Sequence, residues 1–80
     1  MTTNGVIELI AEALEVDTSS LSMDTRIDSV EEWNSIGWLT IMSLVDEQLG
    51  VQIESKAIRS FQTVRDVVDY LGTKTELVAQ

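Results

Sequence analysis

The sequence predicts a small all-α protein: a bundle of three to four helices with a long first loop. Apolar residues recur at helical spacing in three separate segments, which is the main signal for amphipathic helices. Proline is absent from the 80 residues, so no segment contains the residue that most disfavours a helix interior. A chain of this length forms a single domain, and we expect one domain over residues 1–80.

The first helix is predicted over residues 4–16, with Asn4 as its N-cap. Glutamates alternate with the apolar residues of this segment and occupy the opposite side of the predicted helix. The apolar positions are Val6, Ile7, Ile10, Ala13 and Leu14.

Residues 17–34 lack helical periodicity and are rich in Asp, Ser and Thr, which favour turns. We expect scattered apolar residues to hold this loop onto the core: Leu21, Met23, Ile27, Val30 and Trp33. A loop of about 18 residues is unusually long for a compact domain, so it is either functional or contains elements that the pattern does not show.

The second helix is predicted over residues 35–49, with Ser35 as N-cap and Gly50 as its stop. One stripe of apolar residues faces the core: Trp38, Ile41, Met42, Val45 and Leu49. Ile36 and Leu39 lie away from that stripe, so the apolar arc is wider than packing against the core requires.

Residues 51–62 are predicted to form a connection with one short helix near 56–60. Thr63 begins the last helix, and Asp66 three residues later completes a capping-box pattern. Gly72 is predicted to end this helix, which leaves residues 73–80 as a mobile tail beyond an ordered core of about 4–72.

Charge is distributed unevenly along the chain. The net charge is −9, and residues 1–55 contain eleven acidic residues and a single basic one, Arg26. Such a field repels nucleic acid and anionic membranes and attracts basic protein surfaces.

Histidine and cysteine are both absent, which removes the usual acid/base at neutral pH and the commonest metal ligands. We therefore predict no catalytic residues, no metal site and no enzymatic activity. No apolar run reaches the length of a membrane span, and the first residues lack a basic signal-peptide start. We expect no membrane insertion and a cytoplasmic location.

Three segments carry a resemblance to a known family. The string Trp33-Asn34-Ser35-Ile36-Gly37-Trp38-Leu39 is similar to the Asp-Ser-Leu phosphopantetheine attachment motif of acyl carrier proteins. Residues 44–53 resemble the acidic end of the family's second helix and the link after it, and residues 63–71 resemble its last helix. The sequence departs from the motif at Asn34 and Ile36, where the family has Asp and Leu, and at Glu54, where it has proline.

The resemblance implies a 4′-phosphopantetheine cofactor on Ser35, placed there by a phosphopantetheinyl transferase. It implies a monomeric carrier that meets acyl-transferring or synthase enzymes through basic docking patches. The residues expected to dock are Glu31, Glu32, Asn34, Ile36, Leu39, Asp46 and Glu47. The residues expected to line an interior pocket for the acyl chain are Ile41, Met42, Val45, Ile53, Ile58, Phe61 and Val64.

Several alternatives stay open from sequence. Trp38 falls on the core stripe, but a partly exposed Trp38 would contact a partner. The carrier serves fatty acid or lipid synthesis, or it is dedicated to polyketide, peptide or cell-envelope acyl transfer, which Asn34 and the two tryptophans favour. A protein of another class, an unmodified acidic helical interaction module, would have the same composition. Ser35 would then be a helix cap and nothing more.

Overall fold

The computed structural model describes residues 1–77 and confirms the all-α bundle with its long first connection. Four α-helices occur in this part of the chain, and two single 3₁₀ turns, Thr18–Ser20 and Ile27–Ser29, lie between the first and second helices. The helices are α1 (Thr3–Leu14), α2 (Ser35–Leu49), α3 (Ser55–Ile58) and α4 (Val64–Lys74).

Helix α1 begins and ends earlier than its sequence pattern predicts. Its N-cap is Thr2, whose hydroxyl accepts a hydrogen bond from the Gly5 N–H at 2.9 Å, so the prediction of Asn4 is wrong. Both residues are capable caps, and the choice depends on where the backbone first becomes helical. The helix stops at Leu14 because Glu15 adopts a left-handed conformation with φ of 58°.

The long connection between α1 and α2 is anchored to the rest of the protein by buried side chains and by backbone hydrogen bonds. Leu21, Ile27 and Trp33 are buried, which confirms the expectation that apolar residues anchor it. The Val64 and Arg65 N–H groups at the start of α4 donate to carbonyls of Thr25 and Met23, each at 3.0 Å. The connection therefore satisfies two donors that a helix start leaves without an intrahelical partner. The predicted loop contains 3₁₀ turns because three-residue turns leave no periodic signal.

Helix α4 has the predicted capping box. The Thr63 hydroxyl accepts from the Asp66 N–H at 3.4 Å, and the Asp66 carboxylate accepts from the Thr63 N–H at 3.2 Å. The prediction that Gly72 ends the helix is wrong, because Gly72 keeps a helical backbone and the helix continues to Lys74. Glycine ends a helix only when it takes the left-handed conformation. The predicted tail, 73–80, thus starts inside α4, and its last three residues lie outside the described residues.

Helix α2 has its predicted bounds, and α3 lies close to its predicted place at 56–60. All three long helices and the long connection contribute to one core. Its fully covered side chains are Val6, Ile10, Ile41, Val45, Val64, Val67 and Leu71.

Candidate functional site

Ser35 is the first residue of α2 and is exposed. The helix is capped by the residue before it: the Asn34 side-chain oxygen accepts from the Gly37 N–H at 3.0 Å. The prediction that Ser35 caps α2 is therefore wrong. Asn34 has the extended backbone of a cap residue, with φ of −108° and ψ of −165°. The capping role falls to Asn34, and the Ser35 hydroxyl is left available for other chemistry.

The start of α2 is electrostatically suited to a phosphate. Asn34 satisfies the Gly37 N–H with its side chain and the Trp38 N–H with its backbone carbonyl, the latter at 2.9 Å. The earlier N–H groups, those of Ser35 and Ile36, have no partner within the helix. Free N–H groups and the positive end of the helix dipole favour an anion at this position. An exposed hydroxyl in this place fits a phosphodiester attached to Ser35.

Gly37 is a site residue whose importance the sequence did not reveal. It is buried in the first turn of α2, and a Cβ there would lie 2.6 Å from the Glu32 carbonyl oxygen and 2.8 Å from a Leu14 methyl. Only glycine lets the long connection and α1 pack this closely beneath Ser35. A glycine in the first turn of a predicted helix was the available signal.

One face of α2 is apolar and acidic but does not belong to the core. Ile36 is 74% exposed and Leu39 is 66% exposed. Asp46 and Glu47 follow at helical spacing on the same face and are exposed. Glu31 and Glu32, on the connection just before α2, are also exposed, so every predicted docking residue is accessible.

The residues predicted to line an acyl pocket fall into two groups. Ile41, Val45, Ile53 and Val64 are buried, whereas Met42, Ile58 and Phe61 are partly buried against that core. A groove of about 380 Å³ runs along α2, with Leu39, Met42 and Ile53 among its lining residues. This groove joins the exposed face of α2 to the edge of the core.

All four aromatic residues of the chain form one row, which runs from Trp33, just before α2, to Tyr70 on α4. The Trp38 ring centre lies 5.3 Å from that of Trp33 and 5.8 Å from that of Phe61. The Phe61 ring meets Tyr70 edge-on at 5.3 Å. Trp33 is buried, as expected of an anchor for the loop, while Trp38 is partly exposed. Trp38 therefore packs at the margin of the core.

The Trp33 indole N–H is buried and has no hydrogen-bond acceptor among the described residues. Leaving a buried donor without a partner costs about 1–3 kcal/mol. This is the only such side-chain atom in the part of the chain that the structure covers.

Comparisons with known proteins show the family to which the chain belongs. The family model for the phosphopantetheine attachment site matches residues 4–71. A curated acyl carrier protein of Onion yellows phytoplasma is 30% identical over 67 residues, which cover 84% of this chain and 88% of the relative. The chain belongs to the acyl carrier protein family. Similar relatives with the same name come from Aster yellows witches'-broom phytoplasma, at 29% identity over 85% of this chain and 90% of the relative, and from Treponema pallidum, at 27% identity over 82% and 85%.

Membership in this family gives the chain an acyl carrier role with a covalently attached 4′-phosphopantetheine. Carriers of this family interact with synthases and transferases. Within residues 1–77, no helix is both long enough and apolar enough to cross a membrane. The same residues contain no cluster of three or more side chains suited to holding a metal ion.

Proposed function

We propose that Ser35 carries the 4′-phosphopantetheine arm. The observation that supports this most strongly is the division of roles at the start of α2. Asn34 caps the helix, which leaves an exposed Ser35 hydroxyl at the positive end of the dipole. When bound, the arm supplies a terminal thiol on which acyl groups are carried as thioesters.

The attachment step uses coenzyme A and an external transferase. The Ser35 oxygen forms a new bond to the phosphorus that bears the pantetheine, and the bond from that phosphorus to adenosine 3′,5′-bisphosphate breaks. The hydroxyl proton leaves to a base of the transferase, which supplies the activation. We therefore propose that the chain acts as a substrate and carrier, and not as an enzyme.

The exposed face of α2 is the proposed docking surface for the transferase and for the enzymes that load and unload the carrier. Ile36 and Leu39 provide a small apolar contact, and Asp46 and Glu47 with Glu31 and Glu32 attract Arg or Lys side chains. Charge complementarity speeds the encounter, while a small apolar contact keeps the complex short-lived. A carrier must visit several enzymes in turn, so a short residence time suits its role. Asn34 stays a predicted contact of the transferase in addition to being the cap.

We propose that the groove along α2 leads an acyl chain toward the predicted lining residues. Leu39, Met42 and Ile53 line it, and Ile53 belongs to the buried core.

Lipid or fatty acid synthesis is the proposed setting, with a single-domain monomer working in the cytoplasm. A carrier dedicated to polyketide, peptide or cell-envelope acyl transfer is the second candidate. Asn34 in place of the family's Asp and the two tryptophans, Trp33 and Trp38, both favour it.

Intact-mass measurement tests the proposal. The protein is incubated with coenzyme A and a broad-specificity transferase, beside a Ser35→Ala variant. We expect one phosphopantetheine unit on the wild type and none on the variant, with circular dichroism showing that both are folded. A mass gain that persists in Ser35→Ala would place the arm elsewhere. A wild type that gains no mass would favour the unmodified interaction module.

A second measurement addresses the departure at Asn34. Asn34→Asp retains a side-chain oxygen for the Gly37 N–H and restores the family's negative charge beside Ser35. We expect a general transferase to modify this variant faster than the wild type. Equal or slower modification under the same conditions would show that the missing charge does not limit recognition.

A further inference from the structure

Gly37 differs from the other helical glycines in what surrounds it. Its φ is not positive, so the backbone conformation of α2 does not require glycine there. Glycine inside a helix is also less stable than alanine, so its presence in this turn needs a steric reason. An added Cβ would meet nothing closer than 3.9 Å at Gly72, and at Gly5 it would meet the flexible side chain of Met1. At Gly37 it would lie 2.6 Å from a backbone atom, the Glu32 carbonyl oxygen.

The first turn of α2 is joined to the long connection at Gly37. The Gly37 N–H donates to the Asn34 side chain at 3.0 Å, and the Glu32 carbonyl oxygen occupies the space that a Cβ would need. Trp33 lies between these two residues of the connection and is buried, and its N–H donates to the Val30 carbonyl at 3.0 Å. These contacts together hold the backbone from Val30 to Asn34 against the first turn of α2.

Two carboxylates extend from this segment of the connection. Glu31 and Glu32 are exposed, and neither forms an ion pair within residues 1–77. Ser35 follows Glu32 by three residues, so their backbones are at most about 11 Å apart. That separation is close to the Debye length of about 10 Å at 0.1 M salt, so both charges act on a basic protein that approaches Ser35.

We propose that Gly37 is a positioning residue for the docking of basic partners at Ser35. Because Gly37 has no side chain, the Glu32 backbone packs directly on α2, and this contact sets where the Glu31 and Glu32 carboxylates stand relative to the Ser35 hydroxyl. A Cβ at position 37 would force the connection away from α2 and move both carboxylates with it. This inference rests on the proposed attachment at Ser35 and adds a determinant of recognition by the transferase.

The test measures transferase-catalysed modification of the wild type and of Gly37→Ala at low ionic strength, with coenzyme A saturating and the carrier concentration varied. We expect kcat/KM for the carrier to fall roughly three- to tenfold in Gly37→Ala, mostly through a higher KM. The difference should disappear near 1 M salt, because screening then removes the contribution of the two carboxylates in both proteins. A purely structural role of Gly37 would give a loss that does not depend on salt.

A double-mutant cycle assigns the effect to the carboxylates. Glu32→Gln removes one charge and should lower kcat/KM roughly two- to fivefold when Gly37 is present. In the Gly37→Ala background the same substitution should change kcat/KM less than about twofold, because the charge is already displaced. Glu12→Gln is the matched charge control: Glu12 is exposed on α1 and outside the proposed docking surface, so it should have little effect in either background.

Further variants separate a loss of recognition from a loss of stability. Leu71→Ala truncates a fully buried side chain of α4 and should keep a kcat/KM near that of the wild type at a temperature where it is folded. If Gly37→Ala does not fold alone, the comparison uses Gly37→Ala with Gly72→Ala against Gly72→Ala, since the second substitution should stabilise α4. Circular dichroism establishes folding in each case.

The outcomes separate this inference from the proposed function. A wild type that gains no phosphopantetheine by mass overturns both. A modified wild type together with a folded Gly37→Ala of unchanged kcat/KM overturns the inference alone. The inference is also overturned if the loss in Gly37→Ala persists at high salt, or if Glu32→Gln has equal effects in the two backgrounds.

Discussion

Helices α2 and α4 are both amphipathic, yet they use their apolar residues differently. The large apolar residues of α4 are directed inward, and Val64, Val67, Val68 and Leu71 are all buried. Helix α2 buries Ile41 and Val45 but leaves Ile36 and Leu39 largely exposed. Burial of apolar area is what stabilises a fold, so exposed side chains contribute little to it. The comparison shows that α4 uses its apolar residues for the core, whereas part of the apolar surface of α2 is left for the docking role that we propose.

The largest difference that we expect between the two helices is in the stability cost of replacing a leucine by alanine. Leu71→Ala in α4 removes a fully buried side chain and should lower the free energy of unfolding by about 2–5 kcal/mol. Leu39→Ala in α2 should change it by less than about 0.5 kcal/mol, because the side chain is mostly exposed. Urea unfolding followed by circular dichroism measures both. Similar losses in the two variants would contradict the contrast between the helices.

Replacing glycine by alanine should destabilise the protein in α2 and stabilise it in α4. Gly37→Ala places a Cβ against the Glu32 carbonyl and a Leu14 methyl, and overpacking of this kind costs about 1–3 kcal/mol. Gly72→Ala meets nothing closer than 3.9 Å in an exposed helical turn, and should stabilise by roughly 0.5–1 kcal/mol. Thermal or urea unfolding of the pair checks this. A stabilised Gly37→Ala would show that the connection does not pack on α2 as described.

Removing the N-cap of α2 should lower the free energy of unfolding less than disturbing the packing of its first turn. Asn34→Ala removes the acceptor for the Gly37 N–H and should cost about 1 kcal/mol, whereas Asn34→Asp should retain most of it. Ser35→Ala serves as the matched control, because Ser35 does not cap the helix, and its effect on urea unfolding should be smaller than that of Asn34→Ala. If Ser35→Ala proved the more damaging, the assignment of the cap to Asn34 would be wrong.

Added salt should have the smallest effect on stability. It should act by screening the repulsion among the acidic residues of the part of the chain that includes α2. Residues 1–55 have eleven acidic residues against one basic residue, so their repulsion is screened as ionic strength rises. Ca²⁺ should raise the melting temperature more than NaCl of matched ionic strength, through weak binding to carboxylates. An equal rise with the two salts would show that screening is sufficient. The expected rise is below about 4–8 °C, which corresponds to roughly 1 kcal/mol in a domain of this size. A melting temperature insensitive to both salts would remove charge repulsion as a controlling factor.

The regular elements could be predicted from sequence because their signals are local. The spacing of apolar residues defined α2 within its observed bounds, and the Thr63–Asp66 pair defined the start of α4. The errors occurred where several polar residues compete for one role. Thr2 and Asn4 can each cap α1, and Asn34 and Ser35 can each cap α2, so the backbone conformation decides between them.

The parts of the site that could not be predicted depend on contacts distant in sequence. The importance of Gly37 comes in part from Leu14, which approaches it from another helix. The aromatic row joins Trp33 to Tyr70 through two intervening rings on different segments. Periodicity placed Trp38 on the core stripe, but it could not show that its neighbours would be aromatic or that its ring would stay partly exposed.

The most direct test of the account is the rate at which a transferase modifies Ser35 in Leu39→Ala and Leu71→Ala, measured at a temperature where both variants are folded. The account predicts that Leu39→Ala lowers kcat/KM about tenfold, the effect of losing a docking contact worth about 1.4 kcal/mol, with its unfolding free energy unchanged. Leu71→Ala should keep a rate near that of the wild type despite its lower stability. A wild-type rate for Leu39→Ala would contradict the claim that the exposed face of α2 is a docking surface.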